Sequence, residues 1–216
     1  LLKTLQMALV GRNSDAIAVG LRNFPTQKLV LLSPEEHGVI AEELKRNYER
    51  VLKIPVEIYS LREPGVRTML EVVGKIVEKE KQVFEDFILN VGAGDRYFTC
   101  AGTTAAFVYG IKAFDVMGDQ PEMLPVLKLS YTEIISQPKM DILRALDDGG
   151  GSVESLEELS KISRFGKALL SYHIKGGEDS RGLVELGLVE AEREAKGKLR
   201  VKLTPLGKTL LLTTKS

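Results

Sequence analysis

Apolar residues recur along this chain in two alternating patterns. Short runs with the character of buried strands, Thr4 to Val10, Lys28 to Leu32, Pro55 to Ser60 and Phe87 to Asn90, alternate with longer stretches. In those stretches, Asp15 to Arg22, Pro34 to Leu52, Pro64 to Lys79 and Arg96 to Tyr109, apolar positions return every three or four residues, the period of a helix with one buried face. Ser33-Pro34-Glu35-Glu36 offers a capping hydroxyl, a proline at the first helical position and two acids in the first turn, so the second helix is expected to begin there. Ala113 to Met117 and Met123 to Leu127 read as a hairpin-like pair around Gly118-Asp119-Gln120-Pro121. Strands alternating with helices predict an α/β domain over residues 1–128, a mainly parallel sheet with helices on both faces.

Near Leu129 the alternation stops. Lys139 to Leu146 reads as a helix ended by Asp147 to Ser152, and Ser155 to Ile162 as a second, with a hydroxyl cap and an acid three residues on. A third helix starts at Lys167; Leu169, Leu170, Ile174, Leu183 and Leu186 supply its stripe as far as Gly187, with a break at Gly176-Gly177. Leu188 to Ala191 and Leu199 to Leu203 then alternate as a hairpin, and Thr204-Pro205 opens a last helix. Three helices, a charged β-ribbon and a closing helix describe a winged helix-turn-helix over residues 138–216. Residues 129–137 form a linker whose Tyr131, Ile134 and Ile135 predict an ordered segment at a dimer interface. In such a module the helix from Lys167 enters the major groove of double-stranded DNA, with Lys167, Ser171, Tyr172 and Lys175 as candidate contacts. The ribbon reaches backbone phosphate through Arg193, Lys196, Lys198 and Arg200. Counting Lys202 as well, against Glu192 and Glu194, the ribbon has a local excess of three positive charges. Solubility alone is the competing explanation.

Composition narrows the picture. At 216 residues the chain suits two domains, and 30 basic against 30 acidic residues leave no net charge, so nucleic-acid binding has to be local. No stretch approaches a membrane span and no export pattern is visible, so a soluble cytoplasmic protein is expected, with no membrane partner. The single cysteine, Cys100, excludes an internal disulfide and a cysteine-based zinc site; it is expected as a buried packing thiol. The two histidines, His37 and His173, suggest neither a metal nor a general-base cluster, and no cofactor is expected.

Candidate chemistry concentrates in two turns. In a parallel sheet of this kind the ligand crevice lies beyond the strand carboxyl ends, where strand order reverses. Asn90-Val91-Gly92-Ala93-Gly94-Asp95-Arg96 carries an apolar strand into a glycine turn and a helix start, a combination that presents backbone N–H groups and a guanidinium to an anion. Candidate ligand-binding residues are Gly11, Arg12, Asn13 and Ser14 after the first strand, and Asn90, Gly92, Ala93, Gly94, Asp95 and Arg96 after the fourth. Asn13 or Ser14 could equally cap the helix that follows. A dinucleotide fingerprint is absent: the first turn holds only Gly11, Tyr97 occupies the third small position of the second, and Leu32 is followed by Ser33-Pro34 rather than an acid.

The turn Asn90 to Arg96, with the polar turn Gly11 to Ser14, resembles the Asn-x-Ser/Thr-x-Gly-x-Lys/Arg pattern of CRISPR-associated Rossmann fold (CARF) domains. In domain order the whole chain resembles the archaeal CARF–winged-helix regulators. The resemblance implies a Rossmann-like sheet, a homodimer with one pocket across its two-fold axis, a cyclic oligoadenylate or similar nucleotide as ligand, and CRISPR-associated transcription regulation. Gly92 stands where the pattern has a hydroxyl, which favours binding over self-limiting cleavage of the ligand, so an enzyme is not expected. The alternatives are a metal-independent ring nuclease that cleaves cyclic oligoadenylate and a nucleotide-sensing regulator outside CRISPR biology.

Overall fold

A computed structural model describes residues 3–11, 14–126, 135–177, 180–193 and 198–213. The chain divides into two compact units, Leu1–Ser130 and Tyr131–Ser216. The first is a mixed α/β unit built on one six-stranded sheet: β1 (Thr4–Leu9), β2 (Lys28–Pro34), β3 (Val56–Leu61), β4 (Asp86–Asn90), β5 (Lys112–Met117) and β6 (Gln120–Met123), in the order β3-β2-β1-β4-β5-β6. All neighbours run parallel except β5 and β6. Helices α1 (Asp15–Asn23), α2 (Gly38–Leu52), α3 (Val66–Glu80) and α4 (Arg96–Tyr109) make the connections.

Why this sheet needs two layers of helix is visible in β1 and β2. Leu5, Met7, Leu9, Val30 and Leu32 pack with Met69, Leu70 and Val73 of α3 and Phe98, Ala101 and Ala105 of α4. The intervening Ala8, Val10, Leu29 and Leu31 pack on the opposite face with Ala16 and Ile17 of α1 and Ala41 of α2. Strands apolar at nearly every position are satisfied only when both faces are covered. At its far end α4 is stopped by Gly110 in the left-handed conformation, with the Ile111 N–H reaching back to the Ala106 carbonyl.

Two expected boundaries are corrected. Strand β2 runs on through Ser33 and Pro34, paired with Ser60 and Leu61, and a 3-10 turn over Glu35–His37 precedes α2. Ser33 is therefore a buried strand residue whose hydroxyl donates to the Pro34 carbonyl, not a helix cap. Neighbouring β3 offers a ladder for two more residues, and that outweighs the local capping signal. The hairpin turn also closes sooner than expected: Gly118 and Asp119 make it, and β6 runs over Gln120–Met123 rather than starting at Met123, while Leu127, the expected end of that strand, lies outside the described residues. Pro121 is accommodated because β6 is an edge strand, where a missing N–H costs no ladder bond.

The second unit contains α5 (Gln137–Asp148), α6 (Leu156–Ser163), α7 (Lys167–Lys175) and α8 (Pro205–Thr213). Strands β7 (Ser152–Val153), β10 (Val189–Arg193) and β11 (Leu199–Leu203) form an antiparallel sheet in the order β10-β11-β7, and β8 (Gly176–Gly177) pairs with β9 (Ser180–Arg181). Met140, Leu143, Leu146, Leu159, Leu170, Ile174, Val201 and Leu203 are among the buried residues of its core. Ser155 caps α6, its hydroxyl accepting from the Glu158 N–H at 3.2 Å while the Glu158 carboxylate accepts from the Glu154 N–H at 2.9 Å.

Here too the outline departs from expectation. Ser152, expected as the end of a turn, instead forms a strand with Val153, because β11 offers them an edge. Helix α7 ends at Lys175, at the expected break, but does not resume toward Gly187; Leu183 and Leu186 reach the core from the turn that follows β9. Most of the predicted linker, Leu129 to Ile134, lies outside the described residues, and Ile135 is buried in this unit's core. Among the described residues no helix is long and apolar enough to cross a membrane.

Candidate functional site

The order β3-β2-β1-β4-β5-β6 reverses direction between β1 and β4, and the chain leaves both strands at the same edge. Ala8 and Asn90 are register partners, so the turns that follow them are neighbours. They touch: a Cβ on Gly11 would overlap the Ala93 carbonyl oxygen and stand 2.9 Å from its carbon. Gly11 and Ala93 are both buried at this contact.

The second turn is braced from within. Asn90, with no exposed surface, donates from Nδ2 to the Ala16 carbonyl of α1 at 2.8 Å and accepts the Gly92 N–H on Oδ1 at 3.0 Å. The Gly94 N–H donates to the Val91 carbonyl at 3.2 Å, and the Thr99 hydroxyl donates to the same carbonyl at 3.0 Å. Asp95 is the N-cap of α4 and accepts the Phe98 N–H at 2.8 Å. A Cβ on Gly94 would stand 2.8 Å from the Thr99 hydroxyl and 2.9 Å from Leu9, and one on Gly92 would stand 3.0 Å from Val116. These glycines are required by contacts within the protein.

This redistributes the roles expected from the sequence. Asn90 holds α1 and the turn together rather than facing a guest, and the N–H groups of Gly92, Gly94 and Phe98 are taken by the protein. Among the described residues, the N–H groups of Ala93, Asp95, Arg96 and Tyr97 have no acceptor. Arg96 and Tyr97 are exposed on the first turn of α4, so the outward part of the site is that turn and the Arg96 guanidinium. Ser14 precedes α1 with no capping hydrogen bond from its side chain; Arg12 and Asn13 lie outside the described residues. Cys100 is exposed, not a packing thiol, because α4 turns it away from the sheet. Thr99, whose hydroxyl braces the turn, is a contributor that the motif alone leaves unmarked.

Charge at the opposite edge of the sheet serves the fold. Lys28 bridges Glu57 and Glu80 at 2.8 and 2.7 Å, and Lys79 reaches Glu57 at 2.8 Å. Burial alone would raise the Glu57 pKa, but its hydrogen bonds and charge contacts with Lys28 and Lys79 hold it at about 2. Burial likewise opposes the charged form of Lys28, and Glu57 and Glu80 outweigh it, raising that pKa.

In the second unit, Lys167, Tyr172 and Lys175 are exposed on α7 and Ser171 is half-buried. The Lys167 ammonium lies 3.3 Å from Glu157, and the Tyr172 ring lies against Gly177. His173 turns inward from the same helix. It is buried, and burial followed by the nearby Lys139 charge lowers its pKa. On the ribbon Arg193 and Lys198 are exposed, and Lys196 lies outside the described residues. Cross-strand register sets Glu190 against Lys202 and Glu192 against Arg200, and Arg200 Nε lies 3.4 Å from Glu154. Acids therefore offset the basic residues along the strands, which a tally confined to Glu192 and Glu194 overlooks. Among the described residues no group of three or more His, Cys, Asp or Glu is arranged to hold a metal.

No family model matches the chain. It is 27% identical over 205 residues to an uncharacterized protein of Archaeoglobus fulgidus, covering 90% of this chain and 89% of that one. Solved structures similar to it include protein VC1899 from Vibrio cholerae, with 12% identity, 98% of this chain and 64% of that chain covered, and a TM-score of 0.47. Another is Can2 from Sulfobacillus thermosulfidooxidans in complex with cyclic tetra-adenylate, with 12% identity, coverage of 97% and 61%, and a TM-score of 0.46. A third is a type III CRISPR defence DNA nuclease activated by cyclic oligoadenylate, with 16% identity, coverage of 88% and 36%, and a TM-score of 0.48. The chain thus spans less than two thirds of the length of each of these solved chains, and likeness at these scores does not bring their activities to it.

Proposed function

We propose that this protein is a nucleotide-responsive, DNA-binding transcription regulator that works as a homodimer. Its first unit binds a cyclic oligoadenylate or a similar nucleotide, and its second is a winged helix-turn-helix. The observation that carries the reading is the reversal of strand order between β1 and β4. It brings the Gly11 turn against Ala93 and leaves the first turn of α4, with Arg96, facing outward. A phosphate there meets backbone donors, the positive end of a helix and a guanidinium together.

For the second unit, support comes from the sequence of α5, α6 and α7, an antiparallel ribbon paired to β7, and the closing α8. Exposed Lys167, Tyr172 and Lys175 on one helix and Arg193 and Lys198 on the ribbon suit a groove and a phosphate backbone respectively. Self-association is supported by α4, which after Arg96 carries no charged residue while Cys100, Thr104 and Phe107 stand exposed along it. A two-fold dimer then predicts a two-fold operator.

Footprinting and titration on the upstream region of the protein's own gene, with and without cyclic tetra-adenylate, test the reading. The expected result is salt-sensitive protection of two half-sites whose affinity changes with the nucleotide. Absence of DNA binding in both states removes the regulator. Linear products from labelled cyclic tetra-adenylate without metal replace it with a ring nuclease.

A further inference from the structure

Tyr97 is the one exposed aromatic side chain on the first turn of α4, at 63% exposure, while Phe98 beside it is buried. The Tyr97 hydroxyl lies toward the start of α3, 3.8 Å from where a Cβ on Gly65 would stand. Arg96, its neighbour in sequence, is exposed as well, and the N–H groups of Arg96 and Tyr97 have no acceptor among the described residues. A cation, two donors and an open aromatic face on consecutive residues match the two chemically different ends of a nucleotide.

We propose that Tyr97 is the base-recognition residue of this site, its ring stacking on the nucleobase of a nucleoside phosphate whose phosphate rests on Arg96 and the first-turn amides of α4. The proposal rests on the reading of this turn as an anion site and deepens it. Arg96 and the amides recognise any phosphate; Tyr97 makes the site prefer one that carries a base. Stacking uses the ring face, which tyrosine and phenylalanine share, and not the hydroxyl.

The full-length protein and its Tyr97→Ala, Tyr97→Phe and Arg96→Ala variants are titrated with cyclic tetra-adenylate and with ribose 5-phosphate, which has the phosphate and sugar but no base. Tyr97→Ala is expected to weaken cyclic tetra-adenylate binding by roughly 5- to 150-fold and leave ribose 5-phosphate unchanged, with Tyr97→Phe within about 3-fold of the parent. Arg96→Ala weakens both. Because the chain has no tryptophan and only six tyrosines, a stacked base also quenches tyrosine emission, and Tyr97→Phe loses that quench while keeping affinity. Unchanged cyclic tetra-adenylate affinity in Tyr97→Ala, with a loss in Arg96→Ala, overturns the role of Tyr97 and leaves the anion site standing. Equal losses for both probes in Tyr97→Ala assign the ring to packing of the turn and overturn the proposal. A parent protein that binds neither probe overturns the site and the proposal together.

Discussion

Replacing Gly11 by alanine tests the contact on which the crevice depends. The added Cβ would overlap the Ala93 carbonyl oxygen and stand 2.9 Å from its carbon, against an ordinary carbon contact of about 3.5 Å. One turn must therefore retreat by at least about 0.6 Å. Neither is free to do so. Val10, just before Gly11, donates to the Leu32 carbonyl at 2.8 Å within a buried strand environment. Ala93 is held between a Gly92 N–H bonded to Asn90 and a Gly94 N–H bonded to Val91. With backbone rather than a flexible side chain in the way, the cost falls at the upper end of overpacking penalties, about 3 kcal/mol. For a unit of this size that is a fall of about 10–15 °C in Tm, read by circular dichroism or calorimetry. Gly38→Ala is the matched control: Gly38 is helical, with φ near −56°, and its Cβ meets nothing within 4 Å. That change should stabilise by about 0.4–1 kcal/mol. A Gly11→Ala protein that melts within about 2 °C of the parent would refute the proposed contact between the two turns, since a clash of this kind cannot be absorbed so cheaply.

Further outcomes follow from the same geometry. Asn90→Ala removes both hydrogen bonds of a buried side chain at once and should cost about 2–3 kcal/mol in chemical denaturation, whether or not a nucleotide binds. Because the Glu57 pKa of about 2 lies below its unfolded value of 4.5, its contribution is complete above pH 4.5 and is lost as pH falls toward 2. Acid titration of stability should show that loss, and Glu57→Gln should flatten it. His173 also has a folded pKa below its unfolded value of 6.5, so the second unit should weaken as pH drops below 6.5; a His173→Phe protein whose melting keeps the same pH dependence contradicts the assignment. Ser155→Ala removes the cap of α6 and should lower stability by about 1 kcal/mol, measured by urea unfolding.

What could be read from the chain alone was whatever depends on neighbours in sequence. The two-sided apolar runs of β1 and β2 required helices on both faces, and the Ser155 and Glu158 spacing marked the start of α6 before any tertiary contact was known. The glycine turn and Arg96 were visible as a candidate anion site for the same reason. Tertiary structure alone decided the points where a local signal met a distant partner. β3 drew Ser33 and Pro34 into β2 against their capping signal, and β11 drew Ser152 and Val153 into a strand. It was also decisive at the site, where Asn90 has been claimed by Ala16, 74 residues earlier in the chain, and the N–H groups of Gly92 and Gly94 in the second turn and of Phe98 in α4 by the protein itself. A motif names the groups that can hydrogen-bond; only packing settles which of them still face outward. Here those are the N–H groups of Asp95, Arg96 and Tyr97.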